Sequence, residues 1–280
     1  MQHSTRSLLI ALAIIVGFLI IHHYIVGQLT SSSGTSSFTR TQLPDFAAYD
    51  NVKEKKQAFF EYLRPLAEEE NQRLAQLRAS LDTLSESKLK KLADDYGLPE
   101  DSDNLAEKLK KRIDEIPVSL VLAQAAIESA WGTSRFARKG NNLFGQWCFT
   151  EGCGMVPQAR AADASHEVRT FKTARNAIRS YMHNLNSHRA YSKVRQLRTR
   201  QRASNESLSG CYLAEGLESY SEKGARYVDM VKSMIRINKL ESNKQYCAPR
   251  VIAKPETKTE AKQTPPASKA TDETGQDDSA

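Results

Sequence analysis

Glu128 is the only acid in residues 116–145, and it stands at the end of an otherwise apolar run. Trp131-Gly132 breaks that run three residues later, and a second turn cluster follows at Asn141-Asn142-Leu143-Phe144-Gly145. A carboxyl in the last turn of a buried helix sits near the negative end of the helix dipole, and partial burial adds to the cost of its anion. Both effects raise its pKa, as a general acid working near neutral pH requires. Glycoside hydrolysis uses such an acid to protonate the leaving oxygen. Trp131, Phe144, Trp147, Tyr191, Tyr220 and Tyr227 supply rings on which sugar faces can stack. The competing reading makes Glu128 a structural acid bonded to backbone amides of the following turn.

The elements that must hold these residues read as mostly helical. Pro117 suits a helix first turn, and Val118, Val121, Leu122, Ala125, Ala126 and Ser129 fall on one face at helical spacing, with Glu128 at its edge. Before it, a charged helix is expected over 52 to about 80, which Pro65 either kinks or splits, and shorter ones over 85–96 and 102–115. Residues 146–170, with Gly152, Gly154 and Pro157, read as a β-hairpin or irregular β lobe. Helices are expected again over 173–188, 191–197, 211–217 and 226–240, with a loop over 216–224. The fold class is therefore mainly α (α+β), helices with a small β lobe.

The 280-residue chain carries a formal charge of +7, which fits an anionic partner without choosing between nucleic acid, lipid and wall polymer. The N-terminus narrows that choice. Residues 8–26 form a nineteen-residue stretch without a permanent charge, preceded by Arg6 and followed by no charge until Arg40. That is about the span of a bilayer, and the charge bias keeps the N-terminus in the cytoplasm. Residues 1–27 are expected to form an uncleaved signal anchor, with a cleaved signal peptide as the alternative. Either way the body is exported, which disfavours nucleic acid. Residues 28–42 read as a Ser/Thr-rich linker, and the charged, Pro-containing tail over 248–280 as disordered.

Four cysteines in an exported chain read as two disulfides, Cys148–Cys153 across a tight turn and Cys211–Cys247 by elimination. A zinc site is the alternative, but the spacings match no common zinc pattern. The six histidines show no metal-ligand spacing, and no glycine-rich phosphate loop or serine nucleophile elbow is present. No metal or cofactor is expected.

Glu128-Ser129-Ala130-Trp131-Gly132-Thr133-Ser134 followed by Asn141-Asn142-Leu143-Phe144-Gly145 resembles glycoside hydrolase family 73, the N-acetylglucosaminidase (glucosaminidase) domain of peptidoglycan hydrolases. Leu122-Ala123-Gln124-Ala125-Ala126 and Val168-Arg169-Thr170-Phe171-Lys172-Thr173 fit the same pattern. Cys148 with Cys153, Asn184 to Tyr191 and Tyr220 to Tyr227 are similar to the Bax-like branch of that family. The resemblance covers about residues 43–240. It implies a lysozyme-like helical domain with a small β lobe, divided as a helical N-terminal subdomain over 43–115 and a glucosaminidase domain over 116–247. It implies cleavage of β-1,4 bonds of peptidoglycan glycan strands at N-acetylglucosamine, with Glu128 as general acid and Tyr220 supporting the transition state. Trp131, Asn142, Phe144, Tyr191 and Tyr227 are the expected substrate contacts. The second carboxylate is Glu167 or Glu151, with Asp163 also in range, unless the substrate's N-acetyl group attacks instead. The domain often carries an amidase label, yet nothing here resembles the zinc site of a wall amidase. The expected whole is a monomer held at the inner membrane with its domain in the periplasm, or secreted there after signal cleavage. A non-catalytic glycan-binding or scaffolding module is the alternative.

Overall fold

The computed structural model describes residues 43–158, 160, 164–243 and 245–248. The expected anchor, the linker, Asp163 and the tail from Pro249 lie outside the described residues. Among the described residues no helix is long and apolar enough to cross a membrane. The fold is mainly helical with one small sheet.

Helix α1 (Val52–Ser80) begins where the Asn51 side chain accepts from the N–H groups of Lys53 and Glu54, satisfying two donors the helix cannot. Pro65 neither ends nor splits it. Both Pro65 and Glu61, whose carbonyl it leaves unpaired, lie on the exposed face, where water replaces the missing bond. Helices α2 (Glu86–Asp95) and α3 (Leu105–Arg112) follow. The latter is shorter than expected from 102–115, because Asn104 adopts a left-handed φ of 53° just before it.

Helix α4 (Val118–Glu128) is buried on every side from Ser119 to Ala126, not on the single face its spacing suggested. It packs against α1, α8 (Gly210–Ala214) and α9 (Ala225–Ile237), so partners surround it and no face is left for polar residues. Its small alanines permit that close approach. The approach to α4 is clamped by polar side chains. Asn71 Nδ2 donates to Ile116 O at 2.8 Å, and Ile116 N donates back to Asn71 Oδ1 at 2.9 Å. Arg198, 1% exposed, donates to the carbonyls of Lys111, Arg112, Asp114 and Glu115. Buried carbonyls of an irregular segment thereby find partners. The helices before Ile116 share one apolar core with those after it.

Short helix α5 (Arg135–Gly140) lies between the two turn clusters, where sequence periodicity is too brief to show it. The sheet has β3 (Glu167–Arg169) at its centre, antiparallel to β1 (Trp147–Cys148) and β2 (Gly154–Met155). Helix α6 (Ala174–Ser187) starts at Thr173, whose hydroxyl accepts from Asn176 N. Helix α7 (Ser192–Ala203) is a separate element that outruns the expected 191–197. Both disulfides form as expected, Cys148–Cys153 across the β1–β2 turn and Cys211–Cys247 from α8 to the chain beyond α9.

Candidate active site

The backbone after α4 is held in an uncommon conformation. Ala130, Trp131 and Gly132 have φ of 51°, 61° and 75°. The left-handed region costs a non-glycine residue roughly 1–2 kcal/mol, and such turns gather at functional sites. Ser129 stabilises the turn: its hydroxyl donates to Ala125 O at 2.6 Å and accepts from Gly132 N at 2.8 Å. Gly132 cannot be replaced, since a Cβ would stand 2.5 Å from the Phe46 ring. Trp131 is carried back onto α1, edge-on to Phe59 and Phe60, with the Lys56 ammonium 4.9 Å above its ring.

Glu128 is half-buried, and burial raises its pKa against the opposing pull of a Tyr227 hydrogen bond and the Lys223 charge. Tyr227 Oη donates to Glu128 Oε1 at 2.6 Å. Gln124 Nε2 donates to that same Tyr227 oxygen at 2.8 Å, and Tyr181 Oη donates to Gln124 Oε1. Gln124 is fully buried, one helical turn before Glu128. Its amide therefore fixes Tyr227 as a donor toward the carboxylate. Burial beside Glu128 pushes the Tyr227 phenol far above its ordinary range, so it stays protonated.

Stacked rings close the circle. Phe144 lies on Tyr181 with centroids 4.0 Å apart and planes 7° apart. Tyr220 Oη donates to Phe144 O at 3.1 Å, and the Tyr220 ring stacks on Tyr227 at 5.3 Å and 9°. Tyr191 stands 5.9 Å from Tyr220. Gly145 completes the surroundings. A Cβ there would lie 3.8 Å from Glu128 Oε2, and its φ of 64° suits glycine. The two carboxyl oxygens thus differ: Oε1 takes the tyrosine bond, and Oε2 faces the Asn141–Gly145 turn.

The structure brings Glu128, Tyr227, Tyr220, Phe144 and Tyr191 together. Gln124 and Tyr181 join them, although sequence reading had placed Tyr181 only in the core. Asn142 is 1% exposed, and its amide is engaged with the Gln146 and Arg169 carbonyls and the Phe144 and Gln146 N–H groups. It fixes the turn to β3. Glu167 belongs to the lobe, where its oxygens accept from Gly152 N at 3.1 Å and Gly154 N at 2.7 Å. Those two amides hold its pKa below the usual carboxylate value. Glu151 is exposed in the disulfide turn, and Trp147 is exposed on β1, stacked on His166. Among the described residues the groups with metal-ligand spacing are Cys148, Cys153 and Glu167, and Cys211, Glu241 and Cys247. In both, the sulfurs are bonded to each other and offer no thiolate.

Residues 103–240 match the family described as Mannosyl-glycoprotein endo-beta-N-acetylglucosaminidase, the Glucosaminidase domain. The chain is 28% identical over 215 residues to "Protein bax" of Escherichia coli (strain K12), covering 72% of this chain and 77% of that protein. No solved structure matches the chain significantly. Residues 103–240 therefore carry a glucosaminidase domain, a domain of the glycan-hydrolase kind, in a chain similar to Protein bax.

Proposed function

We propose that the protein cleaves β-1,4 glycosidic bonds of peptidoglycan strands at N-acetylglucosamine, with Glu128 as the general acid. The observation that carries this reading is a half-buried carboxyl with a raised pKa whose Oε1 is held by Tyr227. The protonated carboxyl donates to the leaving oxygen as the glycosidic bond breaks. The carboxylate left behind keeps the Tyr227 hydrogen bond, so its charge is partly compensated as it forms. Tyr220 is proposed to support the charge developing at the sugar, stacked as it is beside Tyr227.

The other half of the reaction is proposed to use the substrate. With both Glu167 oxygens on backbone amides, the N-acetyl carbonyl oxygen of the substrate is the better nucleophile. It attacks the anomeric carbon as the leaving oxygen takes the proton of Glu128. Water then opens the resulting ring, and the Glu128 carboxylate accepts a proton from that water. The domain is read as lysozyme-like and acting as a monomer. Residues 1–27 are read as a single-pass inner-membrane anchor that leaves the domain in the periplasm.

The placement of Glu167 also favours a second reading, a glycan-binding module with weak or no turnover. A zymogram on purified sacculi separates the two. Wild type should clear the gel and Glu128→Gln should not. Equal clearing by both, or clearing by neither, rejects the catalytic reading.

A further inference from the structure

Beyond Gln146 from the catalytic turn lies a cavity of about 510 Å³, framed by α1, α2, β3 and α6. Its wall combines two chemistries. Leu77, Leu92, Tyr96 and Phe171 make it apolar, while Arg73, Arg169 and Arg179 bring three guanidiniums. Among the described residues Asp95 is the only acid on this wall. Glu70, 3% exposed, sits behind it and orders two of the cations: Arg73 Nη2 donates to it at 2.6 Å and Arg179 Nε at 2.9 Å. Arg179 uses only its Nε in that pair, so its terminal N–H groups remain for another acceptor. Arg169 has no acidic partner among the described residues, and its guanidinium lies 5.9 Å from the Phe171 ring. Pre-ordered guanidiniums over an apolar floor suit carboxylates attached to small apolar groups.

The cavity shares a wall with the catalytic turn. Ser180 lines it, and its hydroxyl lies 3.0 Å from the Gln146 side-chain amide. Arg169 N donates to Gln146 O at 2.9 Å, and Arg169 O accepts from Asn142 Nδ2 at 2.8 Å. Gln146 follows Gly145, the residue that faces Glu128 Oε2. A group held in the cavity therefore lies against the residue that anchors the turn.

We infer that this cavity binds the short acidic peptide borne by the glycan strand, gripping its carboxylates with Arg169 and Arg179 and so setting the strand beside Glu128. Asp95 offers a place for the amine such a peptide carries. The inference rests on the glycan-strand reading above, and its test needs no turnover.

The test is an isothermal titration of the full chain with a synthetic Ala-Glu-Lys-Ala tetrapeptide whose carboxylates are free, and with the same peptide fully amidated. Wild type should bind the free acid saturably, and Arg169→Ala or Arg179→Ala should each weaken it about tenfold, the scale of one charge-assisted hydrogen bond. The amidated peptide, which loses both contacts, should bind about a hundredfold more weakly, and Arg200→Ala, which removes a charge elsewhere on the surface, should change nothing. Inorganic phosphate at matched ionic strength should not displace the peptide. The inference is overturned if wild type shows no saturable binding, if the amidated peptide binds equally well, if Arg169→Ala leaves affinity intact, or if phosphate competes fully. A failed zymogram beside successful titrations would instead reject the catalytic reading alone.

Discussion

Glu128 ends a buried helix and meets a tyrosine hydroxyl, whereas Glu167 opens a strand and meets two backbone amides. Burial drives the first carboxyl above the ordinary value, and the amides drive the second below it. Environments that push like groups apart in this way divide roles between them. On the proposed reading, proton donation falls to the helix end, while the acid of the lobe organises the turn closed by Cys148–Cys153.

The largest break in that comparison is Glu128→Gln, which should reduce reducing-end release from peptidoglycan by roughly 10³-fold. It should cost no stability near neutral pH. The folded-state pKa of Glu128 lies above its unfolded value of about 4.5, so its stabilising contribution is full below that value and is lost as pH rises through the folded pKa. Thermal melts should find the variant gaining on wild type as pH rises through that window. A variant that gains instead as pH falls would reverse the sign assigned to this carboxyl.

Tyr227→Phe comes next. It removes the hydrogen bond that lowers the Glu128 pKa, so the alkaline limb of the pH–rate profile should move upward. Activity should fall roughly tenfold with loss of the positioned donor. An alkaline limb moving downward would show that Tyr227 does not stabilise the anion. Tyr220→Phe, which keeps the ring stack, should leave that limb in place.

Glu167→Gln tests the other side. Hydrogen exchange at the Gly152 and Gly154 amides should quicken about tenfold, with cleavage reduced only a few-fold. Because its folded pKa is lowered, the contribution of Glu167 is present above the ordinary carboxylate value and is lost as pH falls through the folded one. The difference between wild type and variant should therefore shrink in acid, opposite to Glu128. A loss of cleavage as deep as that of Glu128→Gln would make Glu167 a participant in the chemistry. Smallest of all, Cys148→Ser with Cys153→Ser should quicken exchange in the same turn and leave the pH–rate profile unmoved.

Much of the helix-end corner was legible before any coordinates, because its signals are local. A lone acid at the end of an apolar run, then Trp131-Gly132 and Asn141 to Gly145, placed the acid and both turns. The direction of the Glu128 pKa followed from partial burial and the helix dipole, and burial is its cause in the structure. Tyr227 as the partner of Glu128 was not legible. Tyr220 and Tyr227 lie seven residues apart, and only the packing of α9 against α4 decides which hydroxyl reaches the carboxyl. Gln124 showed only as part of the family pattern, since its role requires Tyr181 from α6. The all-round burial of α4 was hidden for the same reason: periodicity reports one face, and three further helices supply the rest. Residues 146–170 read only as a β-hairpin or irregular β lobe, because strands of two or three residues carry too little alternation to show pairing.

The central claim is that Glu128 protonates a glycosidic oxygen of peptidoglycan. Mass spectrometry of purified peptidoglycan digested with wild type and with Glu128→Gln tests it most directly. The account predicts fragments ending in reducing N-acetylglucosamine from wild type and none from the variant. Strands stripped of their peptides, or the same sugar-ended fragments from both proteins, would contradict it.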